Sequence, residues 1–191
     1  MGWVFTRLPD GDLALDISAN EREVLQSLPG QLAEVLRESP DQPALVRLAP
    51  PAYTEDADHE AEYRHYMGDD LRRRQLAALA VMSESAGATR LSPEQAEGWL
   101  SALNSLRLVL GTQLDVGEDV DDELHQLDGY DDPDDSGDPD DPDGAGAGAG
   151  GAGDERGQAL NLYRYLSMLL QELVEAMSEG LPDVPDEPGA A

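Results

Sequence analysis

The sequence contains no cysteine and no lysine, and its apolar runs are far shorter than a bilayer-spanning helix. Without cysteine, the chain has no disulfide framework, no zinc-thiolate site, no thiol nucleophile and no thiol redox switch. A helix that spans a bilayer needs about 20 apolar residues, and the first seven residues lack the basic-then-apolar order of a signal peptide. We therefore expect a soluble cytoplasmic protein that makes no contact with a membrane.

Acidic residues dominate what is present, with 41 of them against 12 arginines and a formal net charge of −29. The stretch from Glu118 to Asp143 holds 14 acidic residues and no arginine, and a Gly/Ala repeat follows it. Such a segment buries too little apolar surface to offset the entropy lost on ordering. We predict a disordered acidic and then Gly/Ala-rich loop at 118–154, one folded helical domain made of 1–117 and 155–181, and a frayed tail at 182–191.

The first 17 residues have the pattern of a β-hairpin. Residues 3–8 are rich in β-formers, residues 13–17 alternate between apolar and polar, and the turn sequence Pro9–Asp12 separates them. A hairpin alone is marginally stable, so we expect this one to lie on a helical core.

Helical periodicity follows the hairpin in four stretches, of which the first begins with the capping-box pair Ser18 and Glu21 and the third with Ser92. The second runs from about 58 to 85 and the last from about 155 to 179, and a short helix is predicted at 44–48. A kink or two short helices are expected at Pro29-Gly30, and a break is expected at Gly68-Asp69 with Asp69 as a second N-cap. The apolar side of the second helix consists of Tyr63, Tyr66, Met67, Leu71, Leu79 and Met82. The predicted fold is mainly α, a small bundle of about four to five helices with an N-terminal β-hairpin, and the broadly apolar last helix is expected at its centre.

The acidic stretch from Asp132 to Asp143 matches the spacing of a calcium-binding loop, with Gly137 at position 6 and a carboxylate at position 12. Three prolines stiffen this loop, no predicted helices flank it, and a stretch so rich in aspartate meets the pattern by chance. We interpret it as a solvated acidic linker.

No other pattern points to a catalytic, cofactor or metal site. His59 and His65 are six residues apart, which places them about 240° apart on a helix, so they diverge. The sequence has no Gly-x-Ser-x-Gly elbow, no P-loop and no dinucleotide fingerprint. We predict a protein that is not an enzyme and that holds no cofactor or metal.

The only basic cluster consists of Arg64, Arg72, Arg73 and Arg74 on the second predicted helix. These residues are candidates for binding an acidic protein partner or a nucleic-acid backbone. Alternatively, Asp69 and other nearby acids neutralise them in local ion pairs. DNA binding would normally need a basic domain, and this chain is acidic even without the loop.

Five segments together resemble a known family: Leu15–Glu21, Leu45–Tyr53, Asp69–Arg74, Arg107–Leu114 and Tyr163–Met177. They are similar to the actinobacterial family that has long been catalogued as a domain of unknown function and is named after the oxidative-stress transcriptional regulator AosR. The resemblance implies a small cytoplasmic helical protein that acts in transcriptional control by binding the transcription machinery or a sigma factor. It also implies oxidant sensing through paired cysteines in some relatives, which this cysteine-free chain cannot carry out.

The first functional hypothesis is therefore a non-enzymatic regulatory protein that acts through protein contacts near Arg64 and Arg72–Arg74. The second is a DNA-binding regulator that uses Arg72–Arg74, and the third is an enzyme with an unrecognised site. The methionines Met67, Met82, Met168 and Met177 are expected in the core. The sequence leaves the oligomeric state open.

Overall fold

The computed structural model describes residues 3–39, 42–116 and 152–179. Most of the predicted loop at 118–154 and the predicted tail at 182–191 lie outside the described residues, and so does the calcium-like stretch Asp132–Asp143. The last helix begins three residues earlier than the sequence predicts, at Ala152.

The described chain is mainly helical, as predicted, with four helices and a three-stranded antiparallel sheet. A short 3-10 turn at Pro43–Leu45 stands where the sequence predicts a short helix. None of the described helices has both the length and the apolar content needed to cross a bilayer. The elements in chain order are β1 (Phe5–Arg7), β2 (Leu13–Leu15), α1 (Ala19–Glu38), α2 (Ala57–Ser85), β3 (Arg90–Leu91), α3 (Pro93–Gln113) and α4 (Ala152–Ser178).

The predicted hairpin is confirmed, and Phe5 pairs with Leu15 across it. Gly11 has a φ of +94°, a conformation that favours glycine, and this allows the tight turn. The structure adds β3, whose Leu91 pairs with Leu13 of β2. The sequence does not reveal β3, because two residues are too few to show a strand period.

Both predicted helix starts are confirmed. Ser18 and Glu21 form a capping box at the start of α1, and Ser92 and Gln95 form a second one at the start of α3. In each box the serine hydroxyl and the residue three positions later satisfy backbone N–H groups that the first helical turn leaves unpaired. These starts depend on residues that are neighbours in sequence, so the sequence alone predicts them.

The predicted division of α1 into two short helices and the predicted break in α2 are both wrong, whereas a kink at Pro29 stays a prediction. Helix α1 continues through Pro29, whose ring is buried beside Leu25 and Leu32 on the core face. This burial, worth roughly 0.8 kcal/mol per CH₂, offsets much of the backbone hydrogen bond that proline cannot make. Helix α2 continues through Gly68, and Asp69, the predicted second N-cap, lies inside the helix with its Oδ1 3.9 Å from Arg72 Nη1 one turn ahead.

The core is centred on α3, not on α4 as predicted. Helix α3 packs against α1, α2, α4 and the 3-10 turn, whereas α4 packs mainly on α3 and β1. Trp99 of α3 is fully buried, its ring meets Phe5 edge-on with centroids 5.9 Å apart, and its indole N–H donates to the Ser85 hydroxyl at 2.8 Å. This contact joins the sheet, α2 and α3 at one point.

Candidate functional site

Much of α2 lies outside the core. No residue from 57 to 74 is buried, and the buried residues of this helix are confined to its last third, from Ala78 to Ser85. The amide of Gln75 donates to the Leu48 carbonyl at 3.0 Å where the helix reaches the rest of the domain. Residues 57–74, here called the exposed half of α2, extend for about 27 Å at 1.5 Å per residue.

All four candidate arginines lie on the exposed half of α2, and each faces a carboxylate of the same helix. Arg64 Nε donates to Glu60 Oε1 at 2.6 Å, Arg73 Nη1 donates to Asp70 Oδ1 at 3.0 Å, and Arg74 also binds Asp70. Arg72 Nη1 lies 3.9 Å from Asp69 Oδ1. The local ion pairs considered above therefore form. The pairs of Arg73 and Arg74 with Asp70 are exposed. Exposed pairs are worth only about 0–1 kcal/mol, so these two guanidinium groups can exchange the carboxylate for one on a partner at little cost.

The four arginines do not form one continuous patch. Consecutive residues of an α-helix are about 100° apart, so Arg72, Arg73 and Arg74 point in three directions. Arg73 lies about 180° from Arg64. The side chains of Arg73 and Arg74 are the most accessible, at 73% and 75% exposed. A single flat surface, such as a DNA duplex, could contact only some of these arginines at once.

The first turn of α2 is held by carboxylates. The Asp56 side chain caps the helix by accepting from the backbone N–H groups of Asp58 and His59, and it also binds the His59 ring at 2.5 Å between Oδ2 and Nδ1. These hydrogen bonds lower the pKa of Asp56. His65 instead stacks edge-on against Tyr66. Within the described ranges, no three His, Asp or Glu side chains converge as a metal site would require.

Glu60 ties the preceding loop to the exposed half of α2. Its Oε2 accepts from the backbone N–H groups of Ala52 at 2.8 Å and Tyr53 at 2.9 Å. The hydrogen bond from Tyr53, followed by that from Arg64, lowers the pKa of Glu60. The Tyr53 ring lies edge-on to Tyr63, with centroids 6.2 Å apart. This loop thus braces the first two turns of the exposed half of α2, in which no residue is buried.

Four large apolar side chains lie on one side of the exposed half of α2. Tyr63, Tyr66, Met67 and Leu71 are 41%, 70%, 47% and 39% exposed, and together they are here called the apolar stripe. The sequence predicts that this side of the helix, and Met67 in particular, packs in the core. That prediction is wrong for these four residues, because α2 runs past the rest of the domain before its core-facing residues begin.

An apolar groove lies between α1, α3 and α4. Its cavity of about 170 Å³ contains no titratable side chain, so it offers no acid or base for catalysis. The residues that line it include Leu28, Val35, Leu106, Leu110, Leu162 and Gln113.

A family model described as a domain of unknown function (DUF2017) matches residues 3–177. The chain belongs to this family. The match includes every described strand, α1 to α3 and nearly all of α4, so the exposed half of α2 is part of the DUF2017 domain. No curated protein and no solved structure matches the chain.

The DUF2017 domain also contains a buried phenol that the sequence does not single out. The Tyr165 hydroxyl is buried without a hydrogen bond of normal geometry, and it lies beside the carboxylates of Glu21 and Glu172. Burial, and then the adjacent Glu21, raise the pKa of Tyr165. Glu172 is itself engaged, because its Oε2 accepts from the Val4 backbone N–H at 2.8 Å. Only the packing of α4 on α1 and the sheet brings these groups together, and no motif marks them.

Proposed function

We propose that this DUF2017 protein is a non-enzymatic regulator that acts in transcriptional control by binding other proteins. Its proposed contact surface is the exposed half of α2. One observation carries the proposal: four of the 12 arginines of a chain with net charge −29 lie on a helical segment that the core does not use.

The regulatory class comes from the resemblance to AosR-type regulators. That resemblance favours a component of the transcription machinery or a sigma factor as the partner. Oxidant sensing through paired cysteines is left out of the proposal, because the chain has no cysteine. The same surface could therefore serve regulation that responds to a different signal.

The chemistry of the exposed half of α2 suits an acidic protein partner. Arginine and tyrosine are enriched at protein interfaces and at their energetic hot spots. Here Arg73 and Arg74 lie close in sequence to Tyr66, and all three side chains are at least 70% exposed. A carboxylate of the partner would take the place of the Asp70 carboxylate at Arg73 and Arg74. An apolar side chain of the partner would cover the Tyr66 ring.

Capture of purified RNA polymerase core and sigma subunits by the full chain tests this proposal. The variant Arg73→Glu with Arg74→Glu should weaken binding at least about tenfold, as hot-spot changes do. Arg37→Glu with Arg47→Glu is the matched control, since it alters two exposed arginines away from α2 by the same charge. If both variants bind like the original chain, or lose binding equally, the assignment of this surface is wrong.

Direct DNA binding through Arg72–Arg74 is the alternative that the same variants test. Pairing with Asp69 and Asp70, together with the net charge of −29, opposes the phosphate neutralisation on which such binding depends. We expect no mobility shift of duplex DNA at low salt and micromolar protein. A shift that Arg73→Glu with Arg74→Glu abolishes would replace the protein-contact proposal.

A further inference from the structure

We propose that residues 120–127 of this chain dock in the apolar groove between α1, α3 and α4, with Val120, Leu124 and Leu127 against the residues that line it. Residues 120–127 lie outside the described ranges. The groove shares no residue with the exposed half of α2, so the inference does not rest on the proposed function. It confines the predicted disorder of the loop to the residues that follow 127.

The first argument is that the groove lies between two helices that leave a gap. Helices α1 and α4 both contact α3, but they scarcely contact each other. The apolar side chains at the opening are only partly buried although they pack against the core, and they include Leu28, Val35, Leu110 and Leu162. Covering them with further apolar surface is favourable in proportion to the area removed from water.

The second argument is the size of the groove. An apolar cavity of about 150 Å³ is large enough to take up benzene, so the cavity of about 170 Å³ has room for a leucine side chain. Along α3 the groove extends from Leu106 to Gln113, which is about 10 Å of helix. Residues 120 and 127 have the same separation in sequence, so a helix over these residues would match the groove in length.

The third argument is the point at which the described chain leaves α3. Asp115 has a φ of 52°, and the Val116 N–H donates to the Gly111 carbonyl at 2.9 Å. This is the Schellman motif, which ends a helix. Gln113, which lines the groove, lies just before this motif, and the chain from Val116 to Val120 reaches up to about 14 Å. Val120 can therefore enter the groove directly from the end of α3.

The described chain resumes close to where it leaves α3. Arg156, in the second turn of α4, donates from Nη1 to the Leu114 carbonyl at 3.1 Å. Helices whose ends lie this close are commonly joined by about 2–8 residues, whereas 35 residues, 117–151, separate Val116 from Ala152. This segment, here called the connection, is long enough for residues 120–127 to enter the groove and for the rest to return to α4.

The fourth argument is the pattern of apolar residues within the connection. Val120, Leu124 and Leu127 are spaced by four and three residues, which places them within about 60° of one another on a helix. With Tyr130 they are the only large apolar residues between 117 and 151. The apolar content of the connection is thus concentrated next to the groove, and its acidic and Gly/Ala-rich remainder has no large apolar side chain to bury.

The residues around this pattern favour a short helix. Asp119 is a typical N-cap, and Gly129 follows at a position typical of a helix end. A helix of about ten residues is only marginally stable alone in water. It therefore forms when its apolar side packs, and the groove is the apolar surface adjacent to it along the chain.

Chain connectivity favours this occupant over a separate molecule. A segment tethered by a few residues has an effective concentration of the order of millimolar. A second copy would have to bring another chain of net charge −29 to the same surface. Repulsion between two such chains opposes that approach.

Hydrogen exchange of the full chain, followed by mass spectrometry, tests the docking. Amides within 120–128 should exchange at least about tenfold more slowly than the intrinsic rate for their sequence, because packing protects a helix whose isolated form opens freely. Amides within 138–151 serve as the internal reference and should exchange at the intrinsic rate.

A change in the groove should remove this protection. Val35→Glu places a charge among the lining residues and should return 120–128 to the intrinsic rate. Val24→Glu is the matched control, because Val24 is also a valine of α1, is 39% exposed and does not line the groove. It should leave the protection unchanged, and far-UV circular dichroism checks that both variants keep their helices.

A change in the connection tests the same contact without altering any described residue. Leu124→Asp with Leu127→Asp should abolish the protection. Gly146→Asp with Gly148→Asp adds the same charge elsewhere in the connection and should not. This second pair of variants decides the question even if Val35→Glu does not fold.

Three results would overturn the inference. The first is exchange of 120–128 at the intrinsic rate in the original chain. The second is protection that survives Leu124→Asp with Leu127→Asp, or that survives a folded Val35→Glu. The third is protection that fades on dilution from about 100 to 1 µM, which would show that the groove is occupied by a second copy.

Discussion

The hydrogen bond between Ser85 and Trp99 can be tested with a single methyl-for-hydroxymethyl exchange, Ser85→Ala. The Ser85 hydroxyl donates to the Val81 carbonyl at 2.5 Å and accepts from the Trp99 indole N–H at 2.8 Å. Trp99 is fully buried and Ser85 is 5% exposed, so no water can replace the lost acceptor. An unpaired buried donor costs about 1–3 kcal/mol. The higher helix propensity of alanine offsets up to about 0.5 kcal/mol of this loss in the free energy of unfolding.

We therefore expect Ser85→Ala to lower the free energy of unfolding by about 1–2 kcal/mol, and the Tm by roughly 3–6 °C for a domain of this size. Urea unfolding, followed by far-UV circular dichroism, measures the change. Ser83→Ala is the matched control, since Ser83 lies two residues away on α2 and its hydroxyl donates to the Gln26 carbonyl in an exposed position. This control should lose no more than about 0.5 kcal/mol.

A double-mutant cycle separates the hydrogen bond from the packing around it. In a Trp99→Phe background the indole donor is gone, so Ser85→Ala should cost about 1 kcal/mol less than it does in the original chain. Equal losses for Ser85→Ala in both backgrounds would show that the serine does not stabilise the tryptophan through this bond. Losses as small as that of Ser83→Ala would refute the reasoning from burial.

Three further predictions concern glycines, alkaline pH and salt. Gly68→Ala should raise the free energy of unfolding by about 0.5–1 kcal/mol because the added Cβ meets open space. Gly98→Ala should lower the free energy of unfolding by about 1–3 kcal/mol because its Cβ would lie 2.6 Å from Val81 Cγ1. Urea unfolding measures the change for each variant, and two changes of the same sign would contradict this reasoning. Burial raises the pKa of Tyr165, so the stabilisation from its protonated form is complete below pH 10 and is lost as the pH rises beyond that value. Unfolding curves recorded at increasing pH above 10 test this prediction, and Tyr165→Phe should lose less stability than the original chain over that range. The chain has no lysine that would titrate in the same range. Self-repulsion at a net charge of −29 predicts a higher Tm in about 0.5 M than in about 0.01 M sodium chloride, and scanning calorimetry that finds equal Tm values would contradict it.

Local signals in the sequence predict the boundaries of several elements correctly. The capping pairs at Ser18 and Ser92 mark two helix starts, and the turn at Pro9–Asp12 marks the hairpin. The same local reasoning allowed two short helices at Pro29, but α1 is continuous there and the proline is buried in the core. A propensity rule describes the free energy that a residue costs an isolated helix. It omits the stabilisation that the same residue gains by packing against residues distant in the sequence.

The candidate surface shows the same division. The sequence places Arg64 and Arg72–Arg74 on one helix and offers Asp69 as a partner, and the structure has these ion pairs. The part played by these arginines in binding a partner stays a prediction. The sequence predicts that the apolar stripe packs in the core, because its spacing is that of any packed helix face. Periodicity shows that a helix has an apolar side, but it does not show whether that side meets the same domain, another molecule or solvent.

Composition and short-range patterns suffice to predict the helical class, the hairpin, the capped helix starts and the absence of thiol chemistry, because each depends on residue content or on residues a few positions apart. Packing between distant segments makes α3 the central helix, leaves the tyrosines of α2 exposed beyond the core, and brings Tyr165 beside two carboxylates. These features depend on which surfaces of distant segments meet, and the free energy of that choice is a sum over the whole packed domain.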